Sequence, residues 1–264
     1  MTITVAVAGA AGKMGREVIR GIFGAPDLAL VGGVDPASPG GDCGELAGVG
    51  HRDAPVVERL SELPGRPQVI VDFTHPTAVK ENCLRALGAG IRPVVGTTGM
   101  HADDIVELAQ VCDRQGVGCL VAPNFALGAV LLMKFAAEAA KYFDCAEIIE
   151  LHHNQKADAP SGTAIKTAEL MRASRERFGL NNAPEKETLR CARGADFDET
   201  GIQIHSVRLP GLVAHQEVLF GGLGQTLTLR HDSLSRESFI PGVLLGIRKV
   251  VESRGLVYGL EHLL

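Results

Sequence analysis

Thr2-Ile3-Thr4-Val5-Ala6-Val7-Ala8-Gly9-Ala10-Ala11-Gly12-Lys13-Met14-Gly15-Arg16 is the stretch on which the fold turns. Its apolar run up to Ala8 suits a strand buried on both faces, as in parallel sheets. The run leads directly into a glycine-rich turn that opens a helix of about ten residues. Glycines serve where the chain turns tightly, where backbone must touch a pyrophosphate, and where a helix packs close on a strand. The spacing Gly9-x-x-Gly12-x-x-Gly15 is a variant of the usual dinucleotide fingerprint, and its context supports it. A second strand, about Leu28 to Val34, ends in Asp35, an acidic residue suited to the two hydroxyls of an adenosine ribose. Gly9, Ala10, Ala11, Gly12, Lys13, Met14 and Asp35 are therefore candidate cofactor contacts. Asp35 would repel a 2′-phosphate and Pro36 offers it no charge, whereas Lys13 and Arg16 could compensate. NADH and NADPH both stay open, with the local charges on the side of NADH.

Outward from this stretch, Pro36 to about Ala54 is rich in Gly, Pro and Asp and reads as a surface loop without a regular element. Gln68 to Thr74 is the next strand, and His75-Pro76-Thr77 ends it and starts a helix reaching about Leu87. Arg92 to Val95 is a strand that delivers Gly96-Thr97-Thr98-Gly99. A helix from Ala102 to about Gln115 then leads to a strand, Val117 to Val121, and to Ala122-Pro123-Asn124-Phe125. Alternating strands and helices predict an α/β, Rossmann-like, doubly wound parallel sheet whose ligands bind beyond the carboxyl ends of the strands. Gly96, Thr97, Thr98, Ala122, Pro123, Asn124 and Phe125 then share one edge with the Gly9 turn.

Leu127 to Phe143 is apolar except for a stripe of Lys134, Glu138 and Lys141, which predicts a helix buried on most sides. Cys145 to Leu151 has the pattern of a half-buried strand. Ser161 to about Phe178 reads as a helix with Ala164, Ala168 and Met171 on one face. The loop between them is polar. Ser161 is a good N-cap, Gly162 lets a ligand approach the backbone, and Pro160 keeps the residue before it out of the helix. The helix start, the hydroxyls of Ser161 and Thr163, and the ammonium of Lys156 would together hold a carboxylate or phosphate. His152 or His153 beside this seat can donate a proton near neutral pH. Neighbours at a strand end point to opposite faces, so one of the two faces the pocket.

Arg172 to Asp198, with Asn181-Asn182-Ala183-Pro184 inside it, reads as a helix end and a mobile or exposed connection. Strands over Gly201 to Leu209, Leu212 to Phe220 and Gln225 to Arg230 suggest an antiparallel or mixed sheet, hence a second, α+β domain. A last helix, about Glu237 to Glu252, carries Val243, Leu244, Ile247, Val250 and Val251 on one side. The expected division is a dinucleotide-binding domain over 1–125, completed by about 234–264, and a substrate-binding and oligomerisation domain over 126–233.

The run from Glu150 to Ala164, Glu-Leu-His-His-Asn-Gln-Lys-Ala-Asp-Ala-Pro-Ser-Gly-Thr-Ala, resembles the signature of the 4-hydroxy-tetrahydrodipicolinate reductases. These enzymes, long called dihydrodipicolinate reductases, serve the bacterial and plant diaminopimelate route to lysine. Gly9 to Gly15, Asp72-Phe73-Thr74, Gly96-Thr97-Thr98-Gly99, Ala122-Pro123-Asn124-Phe125 and Tyr258-Gly259-Leu260-Glu261 stand where that family has them. The resemblance implies an NADH- or NADPH-dependent reductase of a small dicarboxylate, assembled as a homotetramer and hinged near Phe125 and near Ser233. It further implies that His152 is the proton donor, Lys156 its partner, His153 a substrate contact, and Gly162 with Thr163 the pair binding a substrate carboxylate. The chain departs from some members in having Pro36 where they carry Arg, and Asn154-Gln155 where they carry a more basic pair.

Bulk properties agree. The chain has 264 residues, 45% of them hydrophobic, and a net charge of −5, which fits a globular protein of one or two domains. No leader, membrane-length apolar run or basic tract is evident, so a cytoplasmic chain is expected, without membrane or nucleic-acid partners. The six cysteines lack Cys-x-x-Cys spacing and read as small core residues of a reduced protein. A metal hydrolase built on His152 and His153 would need a further ligand, for which Asp158 is the sole neighbour, and would leave the glycine turn unexplained; no metal is expected. A non-catalytic dinucleotide sensor would have no use for a His and a Lys beside an anion seat. A homoserine or aspartate dehydrogenase would not need the motif at 150–164.

Overall fold

The computed structural model describes residues 2–175, 177–179 and 194–264. Asn181 to Pro184, and most of the connection expected around them, lie outside these residues. The chain divides into two compact units, Met1–Phe125 with Arg236–Leu264, and Ala126–Ser235.

The first unit opens with β1 (Ile3–Ala8), whose Val5, Ala6 and Val7 are wholly buried, as an apolar run in a parallel sheet must be. It continues through α1 (Lys13–Phe23) and β2 (Leu28–Val34). The supposed loop after Pro36 contains a short helix, α2 (Cys43–Ala47), followed by β3 (Val56–Val57). Five residues show no periodicity, so sequence pattern gave no sign of α2. The buried Asp42 organises it instead, accepting the N–H groups of Gly44 and Glu45 at 2.8 and 3.1 Å and that of Ala54 at 2.9 Å. Then come β4 (Val69–Asp72), α3 (Pro76–Gly88), β5 (Arg92–Val95), α4 (Ala102–Gln115) and β6 (Gly118–Val121).

The second unit begins with α5 (Leu127–Ala139). It stops short of Phe143 because Lys141 and Tyr142 tighten the end with bonds to the carbonyls three residues back. Next is β7 (Cys145–His152), with Ala146, Ile148 and Glu150 buried on one face. α6 (Gly162–Ser174) is shorter than expected, since Arg175 adopts extended backbone and its Nε donates to the Ala140 carbonyl at 3.0 Å. β8 (Ala195–Asp196), β9 (Gln203–Arg208), β10 (Ala214–Gly222) and β11 (Gln225–Ser233) complete a sheet of order β11-β10-β7-β9-β8. It is mixed, because β7 and β9 run parallel and the other pairs antiparallel. Leu132 and Ala136 of α5, Ala164, Ala168 and Met171 of α6, and Ile148, Ile204, Val218 and Phe220 of the sheet form its core.

The chain then returns to the first unit as α7 (Ile240–Val250), entered through a 3-10 turn and with Pro241 in its first turn, a position that needs no N–H donor. Val243, Ile247 and Val250 are buried, as the periodicity predicts. A bidentate pair from Arg248 to Asp27, at 2.7 and 2.9 Å, ties α7 to the turn before β2. An unanticipated strand, β12 (Gly255–Tyr258), pairs parallel with β6. The finished sheet is wholly parallel, in the order β12-β6-β5-β4-β1-β2-β3. The order reverses beside β1, where such folds bind dinucleotides.

Ile148 is wholly buried at the centre of the second core. Ile148→Ala is expected to destabilise that unit by about 2–5 kcal/mol, read as a lower urea midpoint.

Candidate active site

At the carboxyl edge of the parallel sheet, Gly9 has a φ of 77°, and a Cβ there would lie 2.4 Å from the Phe73 carbonyl oxygen. Gly15 lets α1 pack on the turn, since a Cβ would meet the Gly9 carbonyl oxygen at 2.0 Å. Gly12 is the N-cap of α1, with no side-chain cap and no acidic residue in the first turn. The helix start is thus left for an anion. Asp35 reaches back to this turn, its Oδ2 accepting the Ala11 N–H at 2.9 Å and its Oδ1 the Ala37 N–H at 3.0 Å. A cleft of about 500 Å³ runs past Gly9, Gly12, Asp35, Phe73 and Asn82, and Arg59 also lines it. Nothing in the sequence marks Arg59 as lining the same cleft as Asp35.

The loops after β5 and β6 lie at the same edge by topology. Thr97 is buried and bonded to Asp72, which also takes the hydroxyl of Thr74 and the amide of Asn82, at 2.7, 2.7 and 2.9 Å. Thr98 and Lys13 are exposed, Gly96, Met14 and Asn124 half-buried, and Pro123 exposed. Ala10, Ala122 and Phe125 are buried, and Phe125 packs on Phe73 with ring centroids 6.0 Å apart. The side chains of these three belong to the core, so backbone is what they can offer a cofactor. The residues present fit a dinucleotide: a strand-to-helix turn without Cβ atoms, an uncapped helix start and a ribose-type carboxylate.

The motif at 150–164 is built around Glu150, which is wholly buried at the end of β7. Its Oε2 lies 2.6 Å from His152 Nδ1 and accepts Arg208 Nη1 at 2.8 Å. Its Oε1 accepts Arg208 Nη2 at 2.7 Å and the Ser161 N–H at 3.2 Å. Burial alone would raise this carboxyl, but hydrogen bonds from His152, Arg208 and Ser206 overcome it and hold the pKa at about 2, against an ordinary 4.5. Arg208 also donates to the carbonyls of Val207 and Asp158, both at 2.7 Å. Its four terminal N–H groups are all engaged.

His152, the last residue of β7, keeps to the buried face, while His153 beyond it is exposed. Lys156 forms an ion pair with Asp158 at 2.8 Å, which lowers the Asp158 pKa. After a cis Ala159–Pro160 peptide, Ser161 is buried and caps α6 by accepting the Ala164 N–H at 3.2 Å. Gly162 is exposed and Thr163 half-buried in the first turn. His152, Ser161 and the Lys156 loop are thus joined through Glu150 and Arg208. Arg208 lies 58 residues from Glu150, and no local pattern announces it. Among the described residues, no group of three His, Cys, Asp or Glu side chains is placed to hold a metal ion, and no helix is long and apolar enough to cross a membrane.

Residues 3–125 match the N-terminal, and residues 128–264 the C-terminal, domain family of dihydrodipicolinate reductase. The chain belongs to the dihydrodipicolinate reductase family. Among curated relatives, the 4-hydroxy-tetrahydrodipicolinate reductases of Synechocystis sp. and Moorella thermoacetica are 54% and 53% identical. The alignments cover 99% and 100% of this chain and 98% of each relative. The dipicolinate-bound dihydrodipicolinate reductase from Paenisporosarcina sp. TG-14 superposes with a TM-score of 0.87, at 46% identity over 100% of both chains. An amine dehydrogenase from Mycobacterium smegmatis, 14% identical with a TM-score of 0.68 over 97% of this chain and 95% of that one, shares the fold alone.

Within this reductase-family chain, the depressed Glu150 pKa makes a stability prediction. A carboxyl held below its unfolded value adds stability that is complete above about 4.5 and is lost as pH falls toward about 2. Glu150→Gln is expected to lose stability at neutral pH and to show a shallower fall across that window, measured by chemical unfolding at stepped pH. Asp35 makes a second. Asp35→Asn is expected to raise the ratio of NADPH to NADH affinity by about tenfold, since a like charge beside the 2′-phosphate is removed. Fluorescence titration with each cofactor measures it.

Proposed function

We propose that this chain reduces 4-hydroxy-tetrahydrodipicolinate to tetrahydrodipicolinate with NADH or NADPH, releasing water, in the diaminopimelate route to lysine. The observation that carries the reading is the buried Glu150–His152 pair bonded to the capped start of α6, in a chain matched along its length by named reductases of this substrate. A relative of the same family binds dipicolinate, a flat dicarboxylate.

The roles follow from chemistry. The first turn of α6, with Gly162 and Thr163, receives one substrate carboxylate at the positive end of the helix. Lys156 adds a cation, steadied by Asp158, and His153 contributes a polar contact from the exposed side of the strand end. Gly9 to Met14, Asp35, Gly96 to Thr98 and Ala122 to Phe125 would hold NADH or NADPH, which would supply the hydride when bound. His152 delivers the proton that the substrate carbon takes up beside the reduced position. The hydroxyl leaves as water with a hydrogen from the neighbouring carbon, which creates a carbon–carbon double bond, and hydride and proton together then reduce that bond.

We further infer a homotetramer in the cytoplasm. The five-stranded sheet has α5 and α6 on one face, while the other carries half-buried Ile149, Leu151, Val207 and Leu219 among polar residues, a surface suited to pairing with a second copy. The cysteines in the described residues are unpaired thiols, four of the five buried, which fits a reducing compartment.

The deciding assay follows NADH and NADPH oxidation with substrate made freshly from pyruvate and aspartate semialdehyde by its synthase. Turnover supports the reading, and silence from protein that still binds dinucleotide refutes it. His152→Ala is expected to lower kcat by about 100-fold or more with dinucleotide affinity unchanged. Lys156→Ala is expected to raise KM as well. Small and equal effects of both on turnover would remove the assigned roles.

A further inference from the structure

We propose that Glu150 is a positioning residue that fixes His152 in its Nδ1–H tautomer, so that Nε2 is the atom from which the proton is transferred. This rests on His152 being the proton donor. The geometry is specific on three points. Glu150 is wholly buried, and its Oε2 lies 2.6 Å from His152 Nδ1. An ionised carboxylate can only accept hydrogen bonds, so Nδ1 must carry the hydrogen. Arg208 grips both carboxylate oxygens at 2.7 and 2.8 Å, and the backbone N–H of Ser161 adds a bond to Oε1 at 3.2 Å. These donors keep Glu150 from taking up the proton that His152 holds. The other charged pair of the motif, Lys156 with Asp158, is closed on itself at 2.8 Å.

The step balances. The imidazolium gives its Nε2 proton to the substrate carbon, falls from a charge of +1 to 0, and keeps Nδ1–H on Glu150; solvent then restores the Nε2 proton. A glutamine at 150 reverses the preference. Its carbonyl can still accept from Arg208 while its amide donates to Nδ1, which leaves a neutral ring with Nε2–H and no lone pair facing outward. A buried pair that merely staples the loop would carry the same tautomers, but their inversion would not bring a loss of kcat at unchanged dinucleotide affinity.

The test uses the full-length protein labelled with 15N-histidine. Two-bond 1H–15N correlation spectra report which ring nitrogen carries the hydrogen, and the His152→Gln spectrum assigns the signals. The wild-type neutral ring is expected to show protonated Nδ1. Glu150→Gln is expected to invert the pattern and to lower kcat by about 100-fold or more, with dinucleotide affinity within about twofold of wild type, and Glu150→Asp to recover part of kcat. An Nε2–H tautomer in the wild type overturns the inference, as does a Glu150→Gln kcat within about tenfold of wild type. If Glu150→Gln fails to fold, the wild-type tautomer alone decides. Full turnover by His152→Ala would instead remove the donor assignment, so the two failures are told apart.

Discussion

A carboxylate taken out of water is stable only if the protein replaces the hydrogen bonds that water gave it. Glu150 sits with no exposure at the end of a strand, and the surrounding structure meets that demand. Arg208 approaches from β9, His152 closes over from β7, the strand of Glu150 itself, and Ser161, the N-cap of α6, donates its backbone N–H. Each of these partners has a second task. Arg208 holds the Asp158 carbonyl and with it the loop carrying Lys156, while Ser161 holds the first turn of α6. One buried charge therefore sets the places of a cation, an imidazole and a helix start that the chain's local preferences would leave independent.

The nucleotide unit uses the same device in milder form. Asp42 gathers the N–H groups of a short helix, Asp72 gathers two hydroxyls and an amide, and Asp35 spans from the end of β2 to the glycine turn. In each case a carboxylate just beyond or at the end of regular structure fixes an irregular segment, which otherwise has few bonds of its own. Loops that must stay open to a ligand cannot be held by packing alone. Short polar anchors with defined geometry hold them without filling the space.

How much of this was legible follows from what each signal depends on. β1, α1, β2, α4 and α7 are long or strongly patterned, and their burial repeats what the apolar spacing indicates. The ligand edge follows from strand–helix alternation, because parallel connections place every βα loop at one end. α2, β3 and β12 have between two and five residues, too few for a period, and exist because neighbours complete them. Within the site, His152, Lys156 and Ser161 could be found together because one loop carries them. Arg208 could not, since its link to Glu150 is made by the pairing of β7 with β9 and by no feature of its own segment. Phe125 and Ala10 are buried, so their side chains close the core at the carboxyl edge of the sheet and only their backbone is left to offer a ligand.

The late return of α7 and β12 bears on how the protein is made. β6 is complete at Val121, but the strand that covers its outer edge, Gly255–Tyr258, leaves the ribosome only after the whole of Ala126–Ser235 has been synthesised. Until then a nascent parallel sheet shows an open edge of unpaired backbone, and the apolar face of α7 is not yet there to cover it. The second unit, by contrast, is continuous in sequence and can close its own core first. The chain is thus built so that the nucleotide unit, although begun earlier, is the one finished last.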